Sequence, residues 1–201
     1  MELKAVWSGA DSVFAVGRWG QILRYDKETQ TVIGMKSNVQ ETLNGIWGAA
    51  DNDMFAVGND GAIINYDGNS RNEWTRFPEA TDWILHAVWG TVRQMNGGTS
   101  PTDVFAVGEA MTILRYRDPA WSRMQAPPSS TVLQAVWGSS SDDVFAAGDA
   151  GEIFHFDGVQ WSKMRSPTGA PITSNWETPG GEYIVIADSA GRIFRRRTNL
   201  P

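Results

Sequence analysis

The sequence predicts one all-β domain, a propeller of five four-stranded blades whose last blade lacks its fourth strand, and three observations predict it. One pattern is written five times: an LxAVWG-like run, a DVFAVG-like run and a GxIxxYD-like run. The tryptophans anchoring the copies, Trp7, Trp47, Trp89, Trp137 and Trp176, stand 40, 42, 48 and 39 residues apart, and periods near forty with short apolar runs are those of propeller blades. Glycine recurs about every eight to twelve residues, which excludes long helices.

The fourth copy shows how one blade is read. LQAVWG (133–138) is the innermost strand, the turn-rich SSSDD follows, and VFAAG, EIFHF and the run from Trp161 make three further strands with a turn signal between each. Both faces of these runs are apolar, as a sheet packed between two neighbouring sheets requires. The second strands of the other copies start at Val13, Met54 and Val104, with Ile184-Val185-Ile186 in the fifth. Third strands start at Ile22, Ile63, Ile113, Ile153 and Ile193, and fourth strands at Val32, Trp74, Trp121 and Trp161.

The blades span approximately 3–42, 43–84, 85–132, 133–171 and 172–201, one domain over 1–201. The Arg-rich run Arg195-Arg196-Arg197 then forms the outer edge of the last sheet, charged as edges are when they must not pair with another chain. The expectation is a closed five-bladed monomer. Its rivals are part of a larger propeller and a dimer through the last blade's edge. The residues Gln94 to Pro101 are extra in the third copy, and their Gly, Ser and Pro read as a surface loop.

Bulk composition narrows the function. A chain of 201 residues buries roughly 70% of its unfolded surface without staples. Cysteine is absent, which excludes disulfides and thiolate metal sites. The net charge of −6 disfavours a nucleic-acid partner, and no apolar run approaches the roughly 18 to 20 residues of a membrane span. The repeat begins by the third residue, so the expectation is that any export signal has been removed or never existed.

The WG…DVFAVG…GxIxxYDGxxW pattern resembles the repeats of bacterial propeller proteins of the sialidase-like Asp-box type over essentially the whole chain. Asp157-Gly158-Val159-Gln160-Trp161 is similar to an Asp box one residue short, and Tyr25-Asp26-Lys27 and Arg117-Asp118-Pro119 are further degraded. The resemblance implies a structural role for those turns and an extracytoplasmic or secreted address. It implies no catalytic site.

Candidate site residues are those that differ between copies at places where loops converge. The loops after second strands carry Arg18-Trp19, Asn59-Asp60, Glu109-Ala110, Asp149-Ala150 and Asp188-Ser189. With strands running outward from the axis, these loops share a face with the inter-blade segments, one of which carries Trp83. The second set is the variable residue of LxAVW: Lys4, Asn44, His86, Gln134 and Ser174. These polar side chains line a water-filled channel or ring a small polar ligand. Trp19 and Trp83 are the off-pattern tryptophans, either packed on the next blade or platforms for sugar or peptide.

Chemistry is harder to assemble. Two His and no Cys supply neither a nucleophilic triad nor a His-rich metal site, and no cofactor is expected. Asp60, Glu109, Asp149 and Asp188 are a carboxylate set on paper, but equivalent loops of different blades lie farther apart than the roughly 5 to 9.5 Å that glycoside hydrolysis uses. Asp51-Asn52-Asp53 and Asp142-Asp143 suggest calcium or, more simply, turn caps. The reading is a non-catalytic recognition or scaffold module binding a protein or peptide through one face, with a carbohydrate-binding lectin as the alternative and a glycoside hydrolase behind both.

Overall fold

The computed structural model describes residues 2–68, 73–95, 98–177 and 183–197. They form five antiparallel sheets, four of four strands and the last of three, each in simple chain order. The first sheet is β1 (Leu3–Ser8), β2 (Ser12–Gly17), β3 (Ile22–Asp26) and β4 (Thr31–Met35). The second is β5 (Leu43–Ala50), β6 (Asp53–Gly58), β7 (Ile63–Tyr66) and β8 (Thr75–Arg76). The third is β9 (Leu85–Met95), β10 (Gly98–Gly108), β11 (Ile113–Arg117) and β12 (Ala120–Arg123), and the fourth is β13 (Leu133–Ser140), β14 (Asp143–Gly148), β15 (Ile153–Phe156) and β16 (Trp161–Met164). The fifth ends at its third strand: β17 (Ile172–Glu177), β18 (Tyr183–Asp188) and β19 (Ile193–Arg197). This is an all-β propeller with five blades and a short last blade. Among the described residues there is no α-helix, and no helix is long and apolar enough to cross a membrane.

The alternation of each strand sends side chains into two different interfaces. Phe14, Val16 and Ile22 point forward, towards the second blade, where they meet Ile46, Met54, Ile64, Tyr66 and Trp74 on its rearward face. The same division recurs at the next three interfaces. Phe55 and Ile63 pack on Val88, Leu114 and Trp121, Phe105 and Ile113 on Val136, Phe154 and Trp161, and Phe145 and Ile153 on Ile184, Ile186 and Phe194. Each fully buried aliphatic or aromatic side chain contributes about 1.5–3 kcal/mol through lost water contact, so blade-to-blade packing holds the fold.

The Trp-Gly pair of the repeat serves two blades. A Cβ on Gly48 would stand 2.9 Å from the Trp7 ring, one on Gly90 2.8 Å from Trp47, and one on Gly138 2.8 Å from Trp89. The glycine of each blade therefore makes room for the tryptophan of the blade before it. Trp137 is 5% exposed; the side chain of Trp176 lies outside the described part.

Two expectations are corrected here. Residues 94–95 and 98–101 are strand and not loop: β9 and β10 continue their ladder through Met95↔Gly98, Gln94↔Thr99, Arg93↔Ser100 and Val92↔Pro101, so these extra residues lengthen the two strands. Asn96 and Gly97, on which the rest of that expectation falls, lie outside the described residues. Nor is the ring closed by five blades. Val6, Val32 and Ile193 are 67%, 61% and 74% exposed, so the rearward face of the first blade and the forward face of the fifth do not cover one another. The edge strand β19 is the outer strand of its sheet, while the side chains of Arg196 and Arg197 lie outside the described part.

Candidate functional site

The turns after the second strands share one backbone design. In the first, second and fourth blades a two-residue turn has both central residues at positive φ: Trp19 (60°) with Gly20, Asp60 (52°) with Gly61, and Ala150 (55°) with Gly151. The third blade uses Ala110 (50°) and Met111 (53°). The turns close through Arg18 O←Gln21 N, Asn59 O←Ala62 N, Glu109 O←Thr112 N and Asp149 O←Glu152 N at 2.9–3.1 Å. Hairpins favour this left-handed turn because its twist matches that of the strands, and it suits Asn, Asp and Gly.

Each turn is also clasped by the inter-blade connections. The first turn residue donates its amide to the segment entering its own blade: Arg18 to Glu2 O, Asn59 to Thr42 O, Glu109 to Ile84 O, Asp149 to Val132 O and Ser189 to Pro171 O. Gly20 N donates to Glu41 O and Met111 N to Thr131 O on the segment leaving it. Second-to-third-strand turns and inter-blade connections therefore occupy one face.

Trp19 stands out on that face. It is 81% exposed, it holds a φ that bulky residues avoid, and it lines a cleft of about 1120 Å³ between the first turn and the 36–42 connection. Across the cleft stand Lys36, Asn38, Gln40, Asp60 and Arg76. Its cations have anionic partners: Arg18 with Glu2 at 3.0 Å, Lys36 with Glu73 at 3.3 Å, and Arg76 with Glu41 at 2.6 Å. Trp83 is 48% exposed on the next inter-blade connection, outside this cleft. A second, apolar groove of about 540 Å³ lies between the fourth sheet and the three-stranded fifth, lined by Trp137, Phe145, Met164, Ile186 and Phe194.

The innermost-strand set occupies β-bulges. The register skips one residue between Leu3 and Ala5, Leu43 and Gly45, and Leu133 and Ala135, with His86 placed likewise between Leu85 and Ala87. In the fifth blade the skipped residue is Thr173, since Ile172 pairs with Asp188 and Ser174 with Ala187. Ser174 is therefore not the equivalent of Lys4, Asn44, His86 and Gln134, and this assignment is corrected.

These bulges and the turns meet at the same end of the blades. Asn44 Nδ2 donates to Asn59 Oδ1 at 2.9 Å and to Leu85 O, in the next blade, at 3.0 Å. Lys4 pairs with Glu2 at 2.5 Å. Burial pulls the His86 imidazole below its usual range, against the pull of the Glu109 and Asp149 carboxylates beside it, and its Nε2 is buried with no hydrogen-bond partner. Gln134 is half-buried at the following bulge. Asn44 and Lys4 are thus engaged with the protein's own groups.

Asp188 does not belong with the other turn carboxylates. It is buried, with Oδ2 accepting from Thr168 Oγ1 at 2.8 Å and Arg192 Nε at 2.9 Å and Oδ1 from the Ala190 and Arg192 amides. Burial raises its carboxyl, but the Arg192 and Thr168 bonds outweigh that and hold it at about 2. Its role as a ligand-binding residue is withdrawn.

The acidic turns after first strands are likewise occupied. Asp51 Oδ2 accepts from the Asp11 amide at 2.8 Å, tying the second blade to the first. Asp143 accepts from Ser139 Oγ and pairs with His155 Nε2 at 2.6 Å. Asp157 Oδ1 receives the Val159 and Gln160 amides, a local turn cap. Among the described residues no three His, Asp or Glu side chains gather as a metal site requires.

No protein-family model matches the chain, and no curated protein sequence matches it significantly. Solved propellers are similar in structure. The chain superposes on the computationally designed Ika8 protein with a TM-score of 0.72 at 12% identity, covering 98% of this chain and 58% of that one. The corresponding values for YCF48 from Cyanidioschyzon merolae are 0.72, 13%, 99% and 68%, and for the WD40 propeller domain of Doa1 they are 0.73, 12%, 98% and 65%. The chain thus spans about three-fifths to two-thirds of the length of these propellers.

Proposed function

We propose that the protein is a non-catalytic recognition module that binds a protein or peptide segment through the turn face, with Trp19 as the anchor. The observation that carries this is a tryptophan in a left-handed turn position, with most of its surface in water. A left-handed conformation costs a bulky L-residue about 1–2 kcal/mol, and an 81% exposed ring recovers little of it by packing. Neither the backbone nor the core asks for Trp there. Strain held at an exposed position is a mark of a binding site, and Trp leads the residues that dominate protein interfaces.

The cleft beside it suits a peptide, offering an aromatic face, amide side chains and ion pairs already neutralised within the protein. The WD40 propeller domains among its structural neighbours are in keeping with an interaction scaffold. A sugar would also stack on Trp19, but the equivalent places in the other blades hold Asp60, Ala110 and Ala150, unlike a repeat lectin that uses one residue type in several blades. Hydrolysis has the weaker case, since Asp188 is engaged internally and Asp60, Glu109 and Asp149 stand on turns of separate blades.

The test is selection of a displayed random-peptide library on the immobilised protein, with retained peptides titrated by tryptophan fluorescence. Retained peptides should lose at least about tenfold in affinity for Trp19→Ala, the scale of an interface hot spot. Peptides that bind the variant as well as the wild type would dismiss the reading. A glycan array in place of the library, giving hits that depend on Trp19, would make the module a lectin.

A further inference from the structure

The two uncovered blade faces are opposite halves of one interface that the chain makes four times. On forward faces, Ile22, Ile63, Ile113 and Ile153 are exposed by 8% or less, whereas Ile193, at the same place in the fifth blade, is 74% exposed. On rearward faces, Ile46, Val88 and Val136 are exposed by 9% or less, whereas Val6, their equivalent in the first blade, is 67% exposed. Val32 is 61% exposed where Trp74 and Trp161 are buried, and Tyr25 is 36% exposed where Tyr66 and Phe156 are buried. A contiguous apolar sheet face of this kind marks an interaction site.

We propose that the forward face of the fifth blade seats on the rearward face of the first blade of a second copy, so that copies of this chain join head to tail. The complement of each face is already known from the chain itself. Ile193, Val185 and Ala187 stand where Ile22, Phe14 and Val16 stand in the first blade, and Val6, Leu23 and Tyr25 stand where Ile46, Ile64 and Tyr66 receive them in the second. Structurally similar propellers are longer than this chain, which spans 58–68% of them. Five blades therefore leave room for more before the two end faces meet. Such a contact is heterologous: it joins unlike faces and continues until the copies close a ring or form a filament.

The experiment is sedimentation velocity of the full chain from about 1 to 100 µM, the range in which modest interfaces assemble. The wild type should grow past the monomer with concentration. Val6→Lys and Tyr25→Lys, on the rearward face, and Ile193→Lys, on the forward face, should each be monomeric while keeping the wild-type circular dichroism spectrum. All three positions face solvent, so folding is spared. Mixing Val6→Lys with Ile193→Lys should restore a one-to-one dimer and nothing larger, because each variant keeps the face the other has lost. A wild type that stays monomeric overturns the proposal. So does an Ile193→Lys variant that still assembles, which would mean a contact between like faces.

Discussion

Trp19 and Asp60 occupy the same place in equivalent turns, with φ of 60° and 52°, yet only one of them suits that backbone. Asp tolerates the left-handed region through local hydrogen bonding, and Trp does not. Trp19→Gly should therefore stabilise the fold by about 1 kcal/mol, a rise of roughly 2–4 °C in melting temperature for a chain of this size, while abolishing peptide binding. Calorimetry and fluorescence titration on the same samples check both halves, and a variant that loses stability would mean Trp19 belongs to the packing.

Asp103 lies between Arg115 at 2.6 Å and Arg117 at 2.7 Å. Its side chain and that of Arg115 are each 9% exposed, and the Arg115 guanidinium lies over the Phe105 and Phe156 rings at 5.2 and 5.3 Å. Asp103→Ala leaves a buried cation without its partner and should cost about 3–5 kcal/mol. Arg117 is 66% exposed, so Arg117→Ala should cost under about 1 kcal/mol. Urea denaturation separates the two.

Asp53 stands where Asp103 and Asp143 stand in the third and fourth blades, but Asn65 replaces the Arg115 and His155 that answer them. Burial, with help from Asp67, pushes its carboxyl up to about 6. The folded protein then holds this proton more tightly than the unfolded chain, so ionising Asp53 lowers stability. That penalty is absent below about pH 4, grows as pH rises through about 6, and is complete above it. Asp53→Asn should be the more stable protein at about pH 8 and lose that advantage near pH 4. Asp188 has the opposite sign: its stabilisation is present above about pH 4 and is lost as pH falls towards 2. Denaturation curves across this range read both.

Gly90 and Gly34 offer a matched pair of substitutions. A Cβ on Gly90 meets the Trp47 ring at 2.8 Å and Asp103 O at 2.9 Å, while one on Gly34 meets nothing within 4 Å. Gly90→Ala should destabilise by about 1–3 kcal/mol through overpacking. Gly34→Ala, on the exposed strand β4, should change stability by less than about 0.5 kcal/mol. Thermal melts of the two variants check this directly.

The sequence alone determined the number of blades, their strand order and the missing strand at the end, because the repeat records in period-two alternation which residues are apolar on both faces of every strand. It also singled out Trp19, through its departure from the repeat. What it could not carry was anything that depends on how one copy meets the next. The spacing itself places Thr173 at the fifth bulge, three residues before Trp176 as Lys4, Asn44, His86 and Gln134 stand before their tryptophans, and the register agrees. That residues 94–95 and 98–101 extend a ladder was decided by pairing with the opposite strand. Tertiary packing decided that Asp188 turns inward to Thr168 and Arg192, since those partners are brought to it by the fold. Whether five blades close a circle rests on the angle between neighbouring sheets, a sum over side-chain contacts at four interfaces, and only the assembled structure shows Val6 and Ile193 left facing water.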